Sequence, residues 1–172
     1  MTNNVIRNFA YFTVFVLLQV LVLNNIYFLR VATPFIYLYC IIKLPVGTSQ
    51  VNVIIFSFLA GLVVDAFTNT PGMHAAACTL VGFSREILVR FFMGKDLPDG
   101  IPSYKTFHYG GYFGYVLSFV LIHHIALFMI ESLTFFDALF LAFRIFASVI
   151  MTTLLICTVE AFNLESQSSG EQ

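Results

Sequence analysis

Long apolar runs, broken by short polar or charged punctuation, dominate the chain from residue 9 to residue 160. Six runs can be marked, at about 9–29, 33–46, 51–67, 72–92, 110–131 and 134–160. At 1.5 Å per residue, five of them are long enough to cross roughly 30 Å of hydrocarbon as helices. The second run lies between Pro34 and Pro45 and predicts a short, tilted or re-entrant segment. The third and fourth runs are joined by Thr68, Asn69, Thr70, Pro71 and Gly72. A loop that short forces an adjacent antiparallel helical hairpin. The polar tail after Phe162 predicts disorder over 163–172, and the Gly- and Pro-containing stretch 93–109 predicts an irregular loop.

Composition strengthens this reading. Hydrophobic residues make up 59% of the 172 and charged residues only 10%, against about 25% charged in soluble domains. The expectation is an all-α polytopic membrane protein, a six-helix transmembrane bundle forming one domain over 1–162. Little chain remains for a soluble catalytic domain, and the net charge of -1 argues against a nucleic-acid partner. The run 9–29 is too long for a typical cleavable signal and reads as the first span. With six spans, Arg7, Lys43, Arg90, Lys95 and Lys105 share one side, leaving Arg30 on the other. The positive-inside rule then makes both termini and loop 93–109 cytoplasmic and places hairpin loop 68–72 outside. A five-span model moves only the N-terminus. Tyr11, Tyr27, Tyr37, Tyr39, Tyr104, Tyr109 and Tyr112 lie near run ends and are candidates for an interfacial aromatic belt.

The few polar residues inside the runs are the candidate sites. Asp65 stands one turn from the end of its run, where a carboxylate is unfavourable at a helix C-terminus but favourable beside an N-terminus. Thr70 is a candidate N-cap and Pro71 a first-turn residue of the next helix, so Asp65 can accept amide hydrogen bonds from its neighbour. A hairpin clamp ranks ahead of partner or ligand binding. Gly61, Ala75, Cys78, Thr79 and Gly82 form small-residue surfaces, as do Gly110 and Gly114. Arg144 lies roughly ten residues into the last helix, about 15 Å from its end. Its first expected partner is Glu131, Asp137 or Asp65, because an unpaired arginine there is costly; a contact to another protein's helix or to lipid head groups is the second reading. Arg85 and Arg90 are placed to snorkel to the cytoplasm. His123 and His124 point about 100° apart on a helix, so hydrogen bonding within the bundle is favoured over chelation of one metal. His74 begins its helix and is expected to face outward. Cys40, Cys78 and Cys157 read as small packing residues. No metal, cofactor or catalytic motif is recognised.

Several stretches together resemble the rod shape-determining protein MreD family. They are LQVLVLNNI at 18–26, TPFIY at 33–37, GLVVD ending at Asp65, and NTPGMHAAA from Asn69 to Ala77. His123 and His124 with Phe128 and Glu131, and then Arg144, complete the order. The resemblance covers nearly all of 15–160. It implies a fold similar to substrate-binding components of energy-coupling-type vitamin transporters. It also implies a non-enzymatic scaffold in the bacterial inner membrane, binding MreC and supporting lateral peptidoglycan synthesis and rod shape. Through MreC it would meet actin-like MreB, a SEDS glycosyltransferase and a class B transpeptidase. The alternative is a small-molecule binding membrane component with Asp65, His74 and Arg144 lining an outward pocket.

Overall fold

The computed structural model describes residues 2–21, 32–94, 100–133 and 137–169. Six helices follow in order: α1 (Thr2–Leu21), α2 (Leu38–Ile42), α3 (Gln50–Thr68), α4 (Met73–Met93), α5 (Tyr104–Glu131) and α6 (Ala138–Ser169). No strand occurs among the described residues. The stretch from Asn24 to Ile26, along with Tyr27, Arg30 and Lys95, lies outside them, as do the side chains of Arg7, Tyr11 and Tyr109. Among the described residues, three helices are long and apolar enough to cross a membrane: Gln50–Thr68, Gly110–Glu131 and Ala138–Asn163. In α4 the charges of Arg85, Glu86 and Arg90 dilute an otherwise apolar helix.

Polarity is inverted relative to a soluble protein. Large apolar side chains such as Phe91, Leu139, Phe146 and Phe67 point outward, whereas Gln19, Ser57, Asp65, His123, His124, Ser148 and Thr152 are buried. Water rewards the opposite distribution, and a hydrocarbon solvent rewards this one.

The run 33–46 departs from a continuous helix. Residues 32–35 carry no helix and α2 is only five residues long. Pro34 accounts for this, since it lacks an amide and disfavours helical geometry before it. The segment nevertheless occupies the middle of the bundle: Tyr37, Leu38, Ile41 and Ile42 are fully buried. It runs beside α6 from Ser148, which accepts from the Thr33 amide, to Glu160, which pairs with Lys43. That length of helix rises about 18 Å.

Two further expectations change. Loop 93–109 is not irregular throughout: Ser103 and Thr106 form a capping box that starts α5, and the helix breaks at His108 (φ 58°) before continuing. Beyond Phe162 the backbone stays helical through Ser169 where disorder was expected; Leu164, Glu165 and Gln167 are good helix formers.

The closest helix pair is the hairpin of α3 and α4. A Cβ on Gly61 would meet the His74 carbonyl oxygen and would lie 2.6 Å from the Ala75 Cα, and one on Gly82 would lie 2.5 Å from Ser57 Oγ. The two helices therefore touch backbone to backbone at one end, which dispersion rewards in lipid. Gly114 plays the same part against Phe92, whose ring a Cβ would meet at 2.5 Å. Gly61, Gly82 and Gly114 thus serve close contacts inside the fold, whereas a Cβ on Gly110 would meet nothing. Gly61→Leu should split the hairpin and strongly lower the amount of folded protein. Gly110→Ala should leave it unchanged. Protease resistance in membranes measures both.

Candidate functional site

At one end of the bundle the hairpin turns through two residues in the left-handed region, Asn69 (φ 56°) and Gly72 (φ 83°). Asparagine tolerates that geometry and closes α3; glycine adopts it freely and opens α4. Gly72 is thus the N-cap residue, correcting the assignment to Thr70, and Pro71 sits in the turn before it. Glycine has no side chain with which to cap. Asp65 supplies what is missing from the neighbouring helix. Its Oδ1 accepts from the His74 amide at 2.9 Å and from the Thr70 hydroxyl at 2.9 Å, and its Oδ2 accepts from the Ala75 amide at 2.9 Å. These amides are the second and third of α4, the ones that a cap normally satisfies. The carboxylate also meets the positive end of the helix dipole. The clamp matches the geometry expected of Asp65, whose carboxylate is held inside the hairpin.

His74 is buried, not outward-facing. Its Nδ1 lies 3.0 Å from the Tyr37 hydroxyl, which is 2.8 Å from His123 Nε2 and accepts from Cys78 Sγ at 3.5 Å. His124 Nε2 lies 3.2 Å from Thr152 Oγ1, and its Nδ1 faces the Val120 carbonyl at 2.8 Å. The ring of Phe35 packs against all three imidazoles. His123 and His124 therefore serve hydrogen bonding within the bundle, on separate partners. Among the described residues no group of three His, Cys, Asp or Glu side chains is arranged to hold a metal ion.

Arg144 takes Glu131 as its partner at 2.9 Å and stacks over Phe128, 4.4 Å from the ring centre. Asp137 instead caps α6, accepting from the amides of Leu139 and Phe140 at 3.1 Å. The Arg144–Glu131 pair is partly open to the surface, with side-chain exposures of 25% and 40%. Such a pair contributes roughly 0–1 kcal/mol. It lines a pocket of 350 Å³ together with Thr33, Thr68, Thr70 and His74. Asp65 does not line it, because its oxygens are spent on α4.

The opposite end holds a second polar cluster. Lys43 pairs with buried Glu160 at 3.0 Å and donates to the Pro102 carbonyl at 2.8 Å. Glu160 also accepts from the Tyr39 hydroxyl at 2.7 Å. Arg85 is buried and donates to the Leu44 carbonyl rather than snorkelling; Arg90 pairs with exposed Glu86. Tyr37, Tyr39 and Tyr112 are buried too, so they are not belt residues. Cys78 is buried and Cys40 and Cys157 are half-buried, all three as free thiols.

Sequence reasoning missed Gln19, Tyr37 and the Lys43–Glu160 pair as structural centres. Gln19 and Glu160 carried a signal: each is a strongly polar residue within an apolar run.

The fold and its buried polar interior define a helical membrane protein. No family model, curated protein or solved structure matches the chain.

Asp65→Ala should leave the amides of His74 and Ala75 unpaired, at a cost of about 1–3 kcal/mol for each. A lower unfolding midpoint in detergent checks this. Loss of partner binding at unchanged stability would make Asp65 an interface residue instead.

Proposed function

We propose that the chain is an integral membrane scaffold of the MreD type, which binds MreC and supports lateral peptidoglycan synthesis and rod shape. The reading rests on the ordered resemblance of residues 15–160, and one structural observation supports it. On the outer face of the α3–α4 hairpin lies an apolar groove of 720 Å³. Its lining combines small residues, Gly72, Ala75, Ala76 and Thr79, with large apolar ones including Ile54, Phe58 and Phe83. Small residues that let a second helix approach closely suit helix packing in lipid. From Gly72 to Phe83 the helix rises about 16 Å, enough for three turns of a partner helix. The single transmembrane helix of MreC is the occupant this reading assigns to the groove.

In this account all six segments are inserted in the bacterial inner membrane with both termini cytoplasmic, and the fold is similar to the substrate-binding components of energy-coupling-type transporters. MreC links the chain to actin-like MreB, the SEDS glycosyltransferase and the class B transpeptidase. The scaffold role is non-enzymatic.

Ala76→Trp and Thr79→Trp fill the groove. Each should cut co-purification with MreC at least tenfold while membrane levels stay normal. Full co-purification of both folded variants overturns the groove assignment. For orientation, a cysteine at Asn69 should react with an impermeant reagent in intact cells, and cysteines at Asn3 and Lys95 should react only after lysis. Labelling at Asn3 without lysis would restore five spans.

A further inference from the structure

We propose that the pocket between Arg144, Glu131 and the hairpin turn binds a zwitterionic headgroup of the phosphoethanolamine type. This does not depend on the scaffold reading.

Four observations point to that chemistry. The pocket holds one cation and one anion, and both reach it from half-open positions. A purely anionic ligand would take Arg144 and strand Glu131; a purely cationic one would do the reverse. A zwitterion inserts between them, phosphate on the guanidinium and ammonium on the carboxylate, so that every charge stays paired. Thr33 lines the pocket with its hydroxyl buried and without a partner, and the residue is only 9% exposed. A buried hydroxyl left unpaired is unfavourable, and a phosphate oxygen would satisfy it. Thr68 and Thr70 also line the pocket; their hydroxyls donate to the Val64 carbonyl and the Asp65 carboxylate, which leaves oxygen lone pairs to accept from an ammonium. Most of the remaining lining is apolar, with Phe35, Phe67 and Phe128 among it, which suits the apolar part of a ligand. A volume of 350 Å³ accommodates a headgroup and its glycerol, and leaves the acyl chains to run down the exposed side of the bundle.

The headgroup has two possible sources, a phosphatidylethanolamine lipid or a free glycerophosphoethanolamine. The full chain in detergent is titrated with palmitoyl-oleoyl phosphatidylethanolamine, the matching phosphatidylglycerol, and the matching diacylglycerol, which has no headgroup. Bound lipid is counted by native mass spectrometry. The phosphatidylethanolamine should bind at least tenfold more tightly than the other two. Arg144→Gln and Glu131→Gln should each abolish that preference, and Thr33→Val should reduce it about threefold. Displacement by free glycerophosphoethanolamine assigns the free source and supports the proposal. Failure to displace, with the preference intact, assigns the lipid and supports it equally. Equal binding of all three lipids overturns the proposal, as does a preference that survives both charge variants. If the charge variants fail to fold, Thr33→Val decides, and an unchanged preference in that variant overturns it.

Discussion

A non-helical backbone stretch buried in the middle of a membrane bundle must find hydrogen-bond partners outside itself, and that requirement organises this protein. Residues 32–35 cannot bond one another as a helix would. In a hydrocarbon setting each unpaired amide or carbonyl costs several kcal/mol. Side chains from two helices meet the demand. Gln19 of α1 donates to the Pro34 carbonyl at 3.0 Å and accepts from the Ile36 amide at 2.9 Å. Ser148 and Thr152 of α6 accept from the amides of Thr33 and Phe35 at 3.0 and 3.2 Å. One glutamine thus acts as a splint for a buried bend, and one face of α6 serves as its other support.

The rest of the core follows from the path this splint imposes. The segment delivers Phe35 and Tyr37 to the imidazoles of α4 and α5, and delivers Tyr39 and Lys43 to Glu160 of α6. Its residues therefore touch α1, α4, α5 and α6 within about twelve positions. Thr152 serves two masters, since it also lies 3.2 Å from His124. The Asp65 clamp works beside this system. By holding the first amides of α4, it fixes where His74 starts, and so where the histidine meets Tyr37. A buried pair such as Lys43–Glu160 is weak evidence of stability in itself, but removing one partner leaves a stranded charge at a cost of about 3–5 kcal/mol. It fixes the far end of the same segment.

Much of this was legible in the chain, and the limits have physical causes. The hairpin was readable because a five-residue loop permits one arrangement, and the clamp because a carboxylate beside a helix C-terminus needs a neighbour's N-terminus. The Arg144 ion pair followed from the cost of a lone arginine in an apolar run. What could not be read were partnerships set by distance across the fold. Tyr37 looks like a belt residue, since a tyrosine near a run end has the same local pattern whether it meets water or a histidine. Gly61, Gly82 and Gly114 have small-residue spacing whether the contact is within the chain or with another. Arg85 could snorkel by length, yet the Leu44 carbonyl lies within reach inside. The segment 33–46 was ambiguous because Pro34 announces a break without saying which side chains repair it.

The Gln19 side chain holds the buried segment together. Replacing it with leucine keeps the volume similar and removes both hydrogen bonds to backbone. The unfolding free energy of Gln19→Leu, measured against the unaltered protein in the same detergent, is the direct test. A loss of about 2–6 kcal/mol is expected, the sum for two backbone groups each left unpaired at about 1–3 kcal/mol. An unchanged or higher stability would contradict it, because the segment would then be held by packing alone.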